Sequence, residues 1–191
     1  MQPMPSTKLT LKDKQVLLET ARHAIQYGLT YHKPPLLELT EYSERLQIAG
    51  ATFVTLKESD QLRGCIGTLN AYQPLIQDVA EHAYAAAFND PRFPPVNRIE
   101  EPLIHISLSL LSPPQAMSFR SEADLLAQLK PGEDGLIFKY RKNKSTFLPS
   151  VWEQLPEPTN FLRQLKLKAG LSADFWDEEI KISRYHCELI D

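Results

Sequence analysis

Apolar positions open the chain at helical spacing. Leu11, Val16, Leu17, Ala21, Ala24 and Ile25 recur every three or four residues, which predicts a helix. Thr10 and Asp13 have the spacing of a capping box at its start, and Gly28 suits its stop. The run YHKPPLLELTEYSERLQ carries a proline pair and reads as a loop crossing. Phe, Val and Thr then crowd Ala51 to Lys57, ESDQ forms a turn, and Leu62 to Leu69 returns. This is the pattern of a β-hairpin. A helix follows from Pro74, with alanines at 83 and 85–87 that permit close packing.

NDPRFPPVNRIEEP reads as a stiff loop. LIHISLSLL (103–111) alternates: Ile104, Ile106, Leu108 and Leu110 share one phase, and Leu103, His105, Ser107, Ser109 and Leu111 the other. That is a half-buried strand. Ser121 caps a helix over Glu122 to Lys130, PGEDG turns into the strand LIFKY, and KNKSTFLPSVWEQLP gives a short strand and a short helix. TNFLRQLKLKAGL is helical to about Gly170, and IKISRYHCELI closes as one strand. With no regular βαβ repeat, this order predicts an α+β fold with a mainly antiparallel sheet flanked by helices. Residues 1–9 are polar and proline-containing, the mark of a flexible N-terminus before a single domain over 10–191.

Composition narrows the function classes. The chain has 191 residues, 42% hydrophobic and 24% charged, as a soluble globular protein would be. Lys and Arg number 21 against 24 Asp and Glu, so a net charge of −3 gives no global reason to expect nucleic acid. No apolar run is long enough to span a membrane, and the start lacks the pattern of a signal peptide. Two distant cysteines, Cys65 and Cys187, make neither a C-x-x-C pair nor a disulfide framework, which favours a reducing cytoplasm.

Candidate chemistry concentrates in DQLRGCIGTL. Two glycines weaken a strand, so something must need the room. Unbroken alternation places Arg63, Cys65 and Gly67 on one face, and Leu62, Gly64 and Ile66 on the other. A guanidinium beside Cys65 favours the thiolate, and Gly67 would leave a gap for a ligand. Cys65 is also readable as a small buried hydrophobe, as free cysteines commonly are. GCIG matches the G-x-x-G loop of KH domains in letters only, because strands rather than helices flank it. In NDPRFPPV, Asp90 bonds nearby backbone N–H groups in a turn, and Arg92 either grips a carboxylate or phosphate or braces a rigid corner. The histidines at 23, 32, 82, 105 and 186 form no metal-binding spacing. His82 follows the glycine motif on the next helix and is a candidate base for Cys65. Thr146, Phe147 and Trp152 cluster, as core aromatics usually do. Lys139, Arg141, Lys142 and Lys144 read as a solvated hairpin end.

Taken together and in order, LRGCIGTL, AAFNDPRFPPV, LSPP, PGEDGLI, STFLPSVWEQLP, FLRQLKLKAGL and the late W…RY resemble the AMMECR-type domain family over about residues 10–189. Its bacterial and archaeal members are called AmmeMemoRadiSam system protein A. The resemblance implies a larger and a smaller lobe with a cleft between them near RGCIG, and an unsettled biochemical activity. It also implies a functional link to a Memo-like protein and a radical SAM protein, hence a cleft enzyme or enzyme subunit of a modification system. The alternative is a non-catalytic binding or scaffold module. Cys65 and Arg63 are the catalytic candidates; Gly64, Gly67, Asp90, Arg92, Phe93 and Thr146 are the binding candidates. No cofactor is indicated, and the three-cysteine motif of radical SAM chemistry is absent from this chain.

Overall fold

In the computed structural model, which describes residues 8–191, the chain divides into two compact units. The first runs to Leu111 and takes back Glu188–Asp191; the second is Ser112–Cys187. The start of the chain up to residue 7 lies outside the described residues, whereas Leu9 is already buried in the core of the first unit.

The first unit begins with α1 (Leu11–Tyr31), and both bonds of its Thr10–Asp13 capping box form. The helix does not stop at Gly28. It runs another turn to His32, which takes the left-handed conformation at φ 55°. Gly28 serves packing instead: a Cβ there would lie 2.5 Å from the Phe88 ring. The proline-containing crossing holds a 3-10 turn at Leu39–Glu41 and the short α2 (Glu44–Gln47). Strand β1 (Ala49–Gly50) then precedes the hairpin β2 (Thr52–Glu58) and β3 (Gln61–Gly67), with Ser59 and Asp60 at positive φ in the turn. Strand β4 (Gln73–Pro74) pairs with β1 and leads directly into α3 (Leu75–Phe88), for which Pro74 is the N-cap residue.

Strand β5 (His105–Leu111) pairs antiparallel with β2, giving a four-stranded sheet of order β10-β5-β2-β3, in which β10 is the C-terminal Cys187–Ile190. Val54, Leu56 and Leu108 point to the helix side and are fully buried with Ala80, Ala83 and Ile76 of α3 and Ala21, Ala24 and Ile25 of α1. Each fully buried branched side chain there contributes about 1.5–3 kcal/mol over exposure. The small side chains of α3 let it settle close to the strands, as its alanine run predicted.

The second unit contains β6 (Gln115–Ala116), α4 (Glu122–Gln128), β7 (Gly135–Tyr140), β8 (Asn143–Phe147), a 3-10 turn at Pro149–Glu153, α5 (Pro158–Lys168) and β9 (Lys181–Tyr185). Its sheet has the order β6-β9-β7-β8. Leu136, Phe138 and Ile182 pack with Phe161, Leu162 and Leu165 of α5, and the Trp152 and Phe161 rings stack with centroids 3.8 Å apart. Ser121 caps α4 by accepting from the Asp124 N–H. The last predicted strand is in fact two. It breaks at His186, and β10 (Cys187–Ile190) joins the sheet of the first unit while β9 stays in the second. At the break, Ser112 N–H donates to the His186 carbonyl and His186 N–H donates to Ser112 Oγ.

All strand pairs with a defined register are antiparallel, so the α+β class and the antiparallel character are as the sequence predicts. None of the helices is long and apolar enough to cross a membrane among the described residues.

Candidate functional site

Strand β3 is the outer strand of the first unit's sheet. Its register with β2 pairs Gly67 with Phe53, Ile66 with Val54, Cys65 with Thr55 and Gly64 with Leu56. Directly paired residues share a face. Gly64 and Ile66 therefore lie on the helix side with Val54 and Leu56, while Cys65 and Gly67 lie on the opposite side with Thr55 and Phe53. Register with β5 extends this second face: Thr55 sits opposite Ser107, and Phe53 opposite Ser109. Across three strands this makes a row Cys65–Thr55–Ser107 beside a row Gly67–Phe53–Ser109, each of whose residues is half-buried. The Thr55 hydroxyl donates to the Cys65 sulfur at 3.4 Å.

The register breaks just before this point. Gly64 pairs with Leu56, but Leu62 pairs with Lys57, so Arg63 is the extra residue of a β-bulge. The face expected for Arg63 from unbroken alternation is thereby lost. Its side chain is buried, donates from Nε and Nη2 to the Glu100 carboxylate (Nη2 at 3.1 Å), and donates from Nη2 to the Pro94 carbonyl at 2.8 Å. Nη1 is buried with no hydrogen-bond partner among the described residues. Hydrogen bonding from Arg63 holds the Glu100 carboxyl below its ordinary pKa. The guanidinium is committed to a carboxylate, not poised over the Cys65 sulfur.

Asp90 and Arg92 dock onto the open edge of β3. Asp90 accepts from the Cys65 N–H at 2.9 Å, and Arg92 Nη2 donates to the Cys65 carbonyl at 3.2 Å. The two residues stand where a further strand would hydrogen-bond, and so cover an otherwise exposed edge. Asp90 also accepts from the Arg92 N–H, Nε and Nη2, the last at 2.7 Å. These bonds, led by the side-chain bond from Arg92, hold the buried Asp90 carboxyl well below the usual carboxylate range. Phe93 completes the corner. Its N–H donates to the Asp90 carbonyl, and the Arg63 and Arg92 guanidinium carbons lie 5.8 and 5.5 Å from its ring centre.

Both glycines serve close backbone approach. A Cβ on Gly64 would lie 2.2 Å from the Ala86 carbonyl oxygen of α3. On Gly67 it would lie 2.2 Å from the Thr52 oxygen and 2.5 Å from Phe53 Cγ, so the gap expected there is filled by β2. His82 is no base for Cys65: it lies on α3, across the sheet from the thiol, and its Nδ1 is 3.2 Å from the fully buried Asp78 carboxylate. Asp78 accepts from the Thr52 N–H and hydroxyl at 2.9 and 2.6 Å.

Thr146 belongs to the second unit. Its hydroxyl donates to the Leu136 carbonyl at 2.8 Å and lies 3.1 Å from the Tyr185 hydroxyl. Burial raises the Tyr185 phenol above its ordinary pKa, and it pushes the Cys187 thiol up to about 11. Among the described residues, no group of three His, Cys, Asp or Glu side chains is placed to hold a metal ion.

Sequence reasoning brought Arg63, Gly64, Cys65, Gly67, Asp90, Arg92 and Phe93 to attention, and the first unit gathers all of them around β3. It missed Thr55, Ser107, Ser109 and Glu100. The polar phase of 103–111 was a readable signal for the two serines, but their place beside Cys65 depends on strand order.

The fold and this face define an α+β protein of two compact units, with a half-buried cysteine on an outer strand braced by an Asp-Pro-Arg-Phe corner. The chain belongs to the AMMECR1 family, whose model matches residues 18–190. A Saccharolobus islandicus protein, Protein LS215_2104, is 38% identical over 178 residues, covering 89% of this chain and 77% of its own. Protein MJ0810 of Methanocaldococcus jannaschii is 34% identical over 187 residues, covering 96% and 92%. The crystal structure of the uncharacterized protein PH0010 from Pyrococcus horikoshii matches with a TM-score of 0.81 at 31% identity, covering 91% of this chain and 88% of that one.

Proposed function

We propose that this chain is a recognition subunit of a modification system, with the face formed by Cys65, Thr55 and Ser107 as the surface that receives a partner or substrate segment. Family resemblance suggests a Memo-like protein and a radical SAM protein as the components that hold the chemistry. The carrying observation is where the polar side chains are spent. Arg63 is tied to Glu100, and Asp90 and Arg92 are tied to each other and to the Cys65 backbone. In this reading RGCIG and DPRF are the frame, with Gly64, Gly67 and Phe93 fixing its shape. What the frame presents is a patch of small, half-buried hydroxyl and thiol groups. Thr146 is kept as a binding residue of the second unit. A second reading, with Cys65 as a nucleophile, draws on the partial exposure of this residue and the nearby Arg92 guanidinium.

The test uses Cys65→Ser and Ser107→Tyr in the full chain, with affinity for the Memo-like protein of the same cell measured by calorimetry. Cys65→Ser should bind like the wild type. Ser107→Tyr, which fills the face, should bind at least about tenfold more weakly, or about 1.4 kcal/mol. Thermal melts confirm that both variants fold. Undiminished binding by Ser107→Tyr overturns the recognition surface. Lost turnover of the assembled system with Cys65→Ser, at unchanged binding, selects the nucleophile reading.

A further inference from the structure

The second unit carries an arrangement that its fold does not require. Lys139 of β7 is directly opposite Lys144 of β8 and directly opposite Lys181 of β9. Three lysines thus stand side by side across three adjacent strands, and all three are exposed. Like charges directly opposite each other in a sheet are destabilising, yet here two such pairs share one central residue. Among the described residues, none of the three has an ion pair or hydrogen bond from its ammonium group. Lys142 adds a fourth exposed cation at the hairpin tip, beside Arg141, which adopts φ 51° and pairs with Glu179 at 3.1 Å. The row lies on the side of the sheet away from α5, because Leu136 and Phe138 alternate with Lys139 and face the core.

We infer that this row is a docking strip for an acidic helix of a partner protein, laid across the strands. Neighbouring strands lie about 4.7–4.9 Å apart, so the lysines form a ladder of that pitch. On a helix, carboxylates at i, i+3 and i+4 recur about 5–6 Å apart, close enough for successive Glu or Asp side chains to meet successive lysines. A bound acidic helix would relieve the repulsion that the free row bears. Single-stranded nucleic acid fits the strip less well, because it needs exposed aromatic rings for base stacking. The aromatic residue on this side, Tyr185, is buried, and Tyr140 faces the core with Arg141 over its ring. The inference concerns the second unit alone and does not depend on the reading of the Cys65 face.

The experiment titrates the full chain into a fluorescent, alanine-rich helical peptide of about 20 residues, long enough to hold a helix, with Glu on successive turns. A thymidine oligonucleotide serves as the comparison probe. Lys139→Glu reverses the centre of the row. Lys12→Glu, at an exposed position of α1, makes the same change in net charge elsewhere. The wild type should bind the acidic peptide at low ionic strength and lose affinity as salt rises. Lys139→Glu should bind about tenfold or more weakly, while Lys12→Glu binds like the wild type. Absence of saturable peptide binding, equal weakening by both variants, or tighter binding of the oligonucleotide each overturns the proposal. Lys139→Gln tests the repulsion independently: its Tm should rise by about 1–4 °C, and a fall refutes the claim that the row opposes its own fold.

Discussion

Removing the Asp90 carboxylate tests how the edge of β3 is held. Asp90→Ala deletes one acceptor that serves both the Cys65 N–H, at 2.9 Å, and the Arg92 guanidinium, at 2.7 Å. The first loss leaves a partly buried amide without a partner, at a cost of about 1–3 kcal/mol. The second removes an ion pair whose Arg92 side chain is 53% exposed, and exposed pairs contribute about 0–1 kcal/mol. The expected destabilisation is therefore about 1–4 kcal/mol, and in a chain of this size it lowers Tm by about 2–4 °C per kcal/mol. Arg92→Ala takes the leading hydrogen-bond donor from a carboxylate that is itself buried, so it should cost about 1–3 kcal/mol, and the double variant should match Asp90→Ala, because the carboxylate is the shared partner. Far-UV circular dichroism against urea gives the stabilities. Tryptophan fluorescence does not serve, because both tryptophans, Trp152 and Trp176, lie in the second unit. Hydrogen exchange at the Cys65 amide reads the edge directly and should accelerate in Asp90→Ala. If Asp90→Ala costs less than about 0.5 kcal/mol, or if the double variant costs as much as the two single variants summed, the edge-capping account is wrong.

Two further outcomes are expected. Gly64→Ala puts a Cβ 2.2 Å from the Ala86 carbonyl oxygen and forces α3 and β3 apart. Urea denaturation should show a loss of about 1–3 kcal/mol or more, and an unchanged midpoint would show that the interface gives without cost. Asp90 and Glu100 both have carboxyl pKa values lowered in the folded state, by hydrogen bonds from Arg92 and Arg63 respectively. Their stabilisation is present above the unfolded values of about 3.9–4.3 and is lost as pH falls through the lower folded values. Melts from pH 5 downward should therefore show Tm falling more steeply for the wild type than for Asp90→Ala, and parallel curves would contradict this.

Much of the local structure was legible in the residues. The capping box of Thr10 and Asp13, the Ser121 cap and the ESDQ turn are short-range devices, and short-range devices are written in adjacent letters. Gly28 shows the limit. As a helix breaker it marks an end, but contact with Phe88 of α3 makes it a crossing point inside the helix. Gly67 likewise suggested an open gap until β2 took its place beside it.

The sequence by itself determined the two side-chain phases of a strand that runs without a bulge or break, such as His105–Leu111, and singled out Arg63, Cys65, Asp90 and Arg92 as candidates. It did so because strand alternation and family motifs are local patterns. Only the tertiary structure decided what these residues do. The bulge at Arg63 turns its guanidinium to Glu100, 37 residues away, because a buried charge needs a partner wherever the fold can supply one. Asp90 meets the Cys65 amide because β3 is left at the sheet's edge, and strand order is settled by pairings far apart in the chain. The same holds for the last predicted strand, divided at His186 between two sheets, and for the lysines of β7, β8 and β9, which become neighbours only through register.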